Sequence, residues 1–197
     1  MAEKNFKGIP ASDGIVVGQV FCYIPVKLEI PVCAAGTVDE EMGRFYTARE
    51  HARVELQRLY DMVENRAGKE EAVIFIAHQE MLSDPALEGK AREYVEIGLT
   101  IEQAVAKVTD ELASMLSGMD DELFAARALD VRDVGRRILR ILLGLPDTAL
   151  AAVVKPSIIV AEDLTPSDTA SLDPKLTLGF ITAQGGITSH SAILART

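Results

Sequence analysis

Apolar positions change their period twice along this chain. Near the start, Gly8-Ile9-Pro10-Ala11-Ser12-Asp13-Gly14 has turn chemistry, and Ile15-Val16-Val17-Gly18-Gln19-Val20-Phe21 then predicts a strand. Pro25 and Pro31 break the next stretch, leaving an extended connector to about residue 36.

From Val38 the period becomes helical. Val38, Met42, Phe45, Ala52, Leu56, Leu59 and Val63 fall at steps of four, three, seven, four, three and four, interrupted only by Arg49. A helix over 38–66 would extend roughly 43 Å. Because further helical segments come directly after it, its stripe reads as a packing seam rather than a dimeric coiled coil. Glu70 to Leu82 forms a second, mostly apolar segment. Asp84 as cap with Pro85 at the first helical position opens a third, which stops near Gly98. Thr100-Ile101-Glu102-Gln103 has capping-box spacing and opens a fourth, with Ala104, Val105, Val108, Leu112 and Met115 on one side. Gly118 ends it. Asp120-Asp121 precede a last long helix that stops at Gly144-Leu145-Pro146.

After Pro146 the pattern reverts. Ser157 to Ala161 is a buried-strand run, Thr165-Pro166-Ser167-Asp168 opens a short helix, and Leu178 to Thr182 is a strand again. Strand material thus flanks a helical block on both sides. The economical arrangement is a discontinuous α/β domain, residues 1–35 plus 146–197, interrupted by an antiparallel helical bundle over 36–145.

Composition narrows the class. With 48% hydrophobic and 25% charged residues, the 197-residue chain is globular rather than disordered. Its apolar runs are too short to span a membrane, and its opening residues have no signal-peptide core, so it reads as cytoplasmic. The net charge is −10, and residues 36–116 hold 17 acidic against 9 basic side chains. That balance argues against nucleic acid and suits a basic protein partner, although a plain solvated surface has the same composition. Cys22 and Cys33 lack metal-ligand spacing and are expected to be small buried residues.

The chemistry concentrates near the end, in Gly185-Gly186-Ile187-Thr188-Ser189-His190-Ser191-Ala192-Ile193-Leu194-Ala195-Arg196. Strand, Gly-Gly turn and helix start make an anion-binding layout, with free N–H groups and the positive end of the helix dipole. His190 would lie in the first helical turn, where a cationic ring is disfavoured and the nucleophilic neutral imidazole is favoured. Gly185 and Gly186 allow close backbone approach, and the Thr188 and Ser189 hydroxyls can donate to phosphate oxygens. The residues suggest a histidine that accepts and passes on a phosphoryl group. By spacing alone, an ordinary capping or core histidine after a plain Gly-Gly turn is an equal reading.

GGITSHSAILAR resembles the phosphohistidine signature of the phosphoenolpyruvate-utilising enzymes, which include enzyme I of the sugar phosphotransferase system and pyruvate phosphate dikinase. One departure is Ile187, where enzyme I often has a basic residue. GIPASDGIVVGQV resembles the start of enzyme I, and DVRDVGRRILRILLG and AEDLTPSDTASL resemble its later motifs. Pyruvate phosphate dikinase lacks a helical insertion of this kind, so the likeness favours the amino-terminal phosphotransfer portion of enzyme I. The resemblance implies a phosphohistidine (swivelling) domain and a bundle that binds HPr, the small phosphocarrier protein. It further implies that the family's chain continues past Thr197 into the rest of the α/β domain, here truncated at its C-terminus, and then into a phosphoenolpyruvate-binding barrel. The full-length enzyme is then expected to need magnesium and phosphoenolpyruvate, and this portion to use no cofactor or metal of its own.

The same resemblance places Thr169 beside His190. It assigns Glu71, His78, Met81 and Leu87 to HPr docking, and Arg132 and Arg137 to docking or phosphate approach. Glu71 and His78 are seven apart and share a helix face, while Arg132, Arg136 and Arg140 form an i, i+4, i+8 row. Two other readings stay open: an acidic interaction module with a vestigial histidine loop, and an enzyme I paralogue serving a different carrier, such as that of a dihydroxyacetone kinase system.

Overall fold

The computed structural model describes residues 4–147, 153–184 and 192. The chain divides into two compact units, one built from Met1–Ile24 with Ala149–Thr197 and the other from Pro25–Thr148.

The second unit is helical: α1 (Val38–Ala67), α2 (Lys69–Leu82), α3 (Pro85–Glu96), α4 (Ile101–Ser117) and α5 (Glu122–Leu142). Its helix boundaries obey local chemistry. Thr37 and Glu40 close a capping box at the start of α1, and Thr100 and Gln103 close another at α4. The Asp84 side chain accepts from the Ala86 N–H at 2.8 Å to start α3. Gly68, at φ +108°, makes the turn between α1 and α2 that an L side chain would strain.

The seam of α1 is buried as Met42, Phe45, Ala48, Ala52, Leu56, Leu59 and Val63. Ala48 fills the gap in the predicted stripe, and Arg49 lies beside it. Its guanidinium rests on the Phe45 and Tyr46 rings and reaches Glu88 at 2.8 Å. Met115 departs from the predicted face of α4, being exposed, whereas Thr109 and Ala113 are buried. The face that packs against α5 is rotated toward these smaller residues.

The first unit holds a three-stranded parallel sheet in the order β1 (Gln19–Tyr23), β2 (Ser157–Ala161), β3 (Thr177–Thr182), with α6 (Pro166–Ser171) in the β2–β3 connection. The first strand starts four residues later than its β-branched run predicts. Gln19 is the first residue with a partner, Ser157, so Ile15, Val16 and Val17 have strand composition but no ladder to join. Tyr23, Val153, Ile159, Ala161, Leu164 and Leu172 form the core beneath the sheet. Cys22 points away from that core, the strand alternation having turned Tyr23 inward. Both cysteines are exposed, contrary to the expectation of burial.

Candidate functional site

Local sequence builds the carboxyl end of the parallel sheet. Tyr23, Ala161 and Thr182 end the three strands in register. In open α/β sheets that end is where ligands bind. Beyond β2, Thr165 caps α6: its hydroxyl accepts from the Asp168 N–H at 3.1 Å, and the Asp168 carboxylate accepts from the Thr165 N–H at 3.1 Å. Beyond β3, the Ala183 N–H donates to the Ala161 carbonyl and the Gln184 N–H to the Glu162 carbonyl, at 3.2 and 2.9 Å. The chain that enters Gly185 therefore leaves the sheet beside the loop that starts α6.

Gly185, Gly186, Thr188, Ser189 and His190 lie outside the described residues. Ala192, within the same stretch, is helical and buried. Thr169 is described. It is buried, and its hydroxyl donates to the Thr165 carbonyl at 3.0 Å. With its proton committed there, the oxygen keeps lone pairs able to accept from an N–H donor.

In the helical unit, Met81 and Leu87 line a shallow cleft together with Asp84, Thr109, Val134 and Gly135. Glu71 is half-buried in the first turn of α2. Arg132 is half-exposed, its Nη1 3.8 Å from Asp110 Oδ1 on α4. Three residues assigned to docking are buried instead: Leu87, at 6% exposure, is one. His78 is fully buried, edge-on to Phe75, with Nε2 at 3.4 Å from Asp130 Oδ1 and Nδ1 at 3.8 Å from Asp133 Oδ2. Facing α5 from α2, it offers a partner no surface. Arg137 is buried too, and shares one oxygen of Glu55 on α1 with Arg140. The arginine row thus has three separate partners: Asp110 for Arg132, the Val26 carbonyl for Arg136 and Glu55 for Arg140.

Val73 and Ile76, one turn apart on α2, are exposed and apolar. Their spacing was visible in the sequence, but nothing there told which face of an apolar helix would remain uncovered. Among the described residues no group of three or more His, Cys, Asp or Glu converges as a metal site, and no helix is long and apolar enough to cross a membrane.

Comparison with known proteins agrees with this layout. The family description "PEP-utilising enzyme, N-terminal" matches residues 7–127, and "PEP-utilising enzyme, mobile domain" matches residues 153–197. The phosphoenolpyruvate-protein phosphotransferase of Listeria innocua is 39% identical over 98% of this chain, and that of Mycoplasma capricolum is 37% identical over the same share. The chain spans 34% of the length of each. An NMR solution structure of an enzyme I protein superposes with a TM-score of 0.74 at 39% identity, covering 94% of this chain and 76% of that one. The N-terminal domain of a nitrogen enzyme 1 gives 0.64 at 28% identity, covering 95% and 77%. With well over half its length under the first family description, and both units matched in chain order, the chain belongs to the PEP-utilising enzyme family, whose N-terminal domain it carries.

Proposed function

We propose that this chain transfers a phosphoryl group reversibly between His190 and the carrier protein HPr, as the amino-terminal part of a phosphoenolpyruvate-protein phosphotransferase of the cytoplasm. The reading is carried by one observation: GGITSHSAILAR begins after two intervening residues beyond the end of β3, whose exit is tied to the loop that starts α6. In this reading the first unit is a phosphohistidine domain and the helical unit receives the carrier. Met81, with the exposed Val73 and Ile76, provides the apolar part of the docking surface, and the buried Leu87 supports it from beneath. Glu71 and Arg132 provide charged contacts at its rim, and the acidic balance of the bundle attracts a basic partner.

The transfer is an in-line displacement. A ring nitrogen of His190 supplies the electron pair for the new N–P bond, while the bond to the carrier's histidine breaks and its electrons return to that ring. No proton need cross. Thr188, Ser189 and the backbone donors of Gly185 and Gly186 hold the phosphoryl oxygens. The Thr169 oxygen accepts from the other His190 N–H, which fixes the tautomer that leaves the reacting nitrogen bare. In the whole protein the phosphoryl group would come from phosphoenolpyruvate.

Incubation with phospho-HPr tests the reading. Wild type should acquire one acid-labile, alkali-stable phosphate, and His190→Ala should acquire none. Failure of the wild type to be labelled would leave an acidic helical binding module as the better description.

A further inference from the structure

We propose that His78, Asp130 and Asp133 together hold one proton more than a neutral imidazole and two carboxylates would carry. That proton latches α2 onto α5, and the latch loosens as pH rises.

A count of donors and acceptors leads there. His78 on α2 is 0% exposed, and neither of its ring nitrogens makes a well-formed hydrogen bond. Each faces a carboxylate of α5 instead: Nε2 lies 3.4 Å from Asp130 Oδ1, and Nδ1 lies 3.8 Å from Asp133 Oδ2. An ionised carboxylate only accepts, while a neutral imidazole has one N–H and one bare nitrogen. The bare nitrogen would therefore confront a second acceptor inside the bundle. One added proton, on the ring or on either acid, turns that opposed pair into a donor and an acceptor.

The surrounding charges favour the same proton. Asp130 and Asp133 are three apart on one face of α5, and both are buried, at 9% and 7% exposure. Buried carboxylates so close together repel unless a cation or a shared proton lies between them. The neighbouring arginines of α5 have partners elsewhere: Arg132 faces Asp110 of α4, Arg136 the Val26 carbonyl, and Arg137 and Arg140 share Glu55 of α1. Glu71 is two helical turns away along α2. Phe75 stands perpendicular to the imidazole, ring centres 5.9 Å apart, and supplies neither donor nor acceptor. Among the described residues the two aspartates are the ion-pair partners of His78.

What the latch holds is the helix that carries the exposed Val73 and Ile76. Apolar Ala72, Phe75 and Leu82 also seat α2, but packing does not relieve facing acceptors. An exposed histidine titrates near about 6.5, so above pH 7 a ring freed by lifting of α2 is neutral. The seated form then binds one proton more than the lifted form, and its advantage falls as pH rises.

NMR of the whole chain with labelled histidine and aspartate tests this at pH 7, the His78 signals being assigned against His78→Gln. Either both His78 nitrogens should be protonated, or one nitrogen together with Asp130 or Asp133. Amide exchange of α2, corrected for its intrinsic pH dependence, gives the second readout. Its opening constant should rise by up to about tenfold per pH unit between pH 7 and 9. In Asp130→Asn the side-chain amide can donate to the bare nitrogen, so no extra proton is needed and the opening constant should stay flat. A singly protonated ring beside two ionised aspartates would overturn the proposal. So would an α2 opening constant with the same pH dependence in wild type and Asp130→Asn. If Asp130→Asn fails to fold, the wild-type ring and carboxyl signals decide by themselves.

Discussion

Gly135 on α5 lies so close to Thr109 on α4 that a Cβ at position 135 would overlap the threonine Oγ1 and Cγ2 atoms. The glycine is present for close approach, since its backbone is helical and needs no unusual φ. Gly135→Ala should destabilise the bundle by about 1–3 kcal/mol through overpacking. Thr109→Ala in the same chain should recover part of that loss, because it removes the two nearest clashing atoms and leaves only the Cβ of residue 109 in close contact. Urea unfolding of the single and double variants measures it, and strictly additive losses would disprove the contact.

Glu41 on α1 holds the start of α4 from outside, its two oxygens accepting from Gly36 N–H at 2.9 Å and Ile101 N–H at 3.0 Å. Burial alone would raise this carboxyl, but those two N–H groups and the Arg44 guanidinium outweigh it and hold it below the usual value of 4.5. A carboxyl lowered in the folded state stabilises fully above its unfolded value and loses that contribution as pH falls through the folded one. Stability should therefore stay level from pH 7 to about 5 and fall below about 4.5. In Glu41→Gln the neutral-pH stability should be lower and the acid slope shallower. Urea midpoints across pH decide; parallel curves for the two proteins would refute the assignment.

The burial of His78 separates structure from docking. His78→Ala should cost about 2–4 kcal/mol of stability by opening a cavity beside Phe75 and leaving Asp130 without its neighbour. HPr affinity, corrected for the folded fraction, should fall less than for Met81→Ala, whose side chain lines the cleft. Calorimetric titration at low temperature makes the comparison. A larger specific loss from His78→Ala would mean that the helices open on binding.

Glu55 pairs with two guanidiniums, of which that of Arg137 is buried. Glu55→Ala should cost about 2–4 kcal/mol, discounted from a wholly buried pair because Glu55 retains some solvent contact. Adding Arg137→Met should restore part of it by removing the stranded charge. Thermal melts of the two variants test this, and a double variant less stable than Glu55→Ala would sink it.

Local chemistry settled most of the element map. Capping boxes at Thr100 and Thr165, the Asp84-Pro85 start, and the glycines after α3, α4 and α5 act within one helical turn, so their meaning survives whatever the neighbours do. The α1 stripe was legible for the same reason: its spacing states which side must be covered. The histidine signature was also readable at once, being a contiguous run whose chemistry depends on backbone geometry close at hand.

Tertiary structure alone decided which apolar faces met. It cut β1 back to Gln19, because a strand extends only as far as its partner. It buried His78 and Arg137 and exposed Met115, Val73 and Ile76, because helix rotation is set by the fit of opposing surfaces such as Thr109 on Gly135; both cysteines, which lie outside the helices, are exposed as well. It also joined Tyr23 to Asp168 across 145 positions. Periodicity states that a residue has an inside or an outside; only the packed neighbour determines what that inside touches.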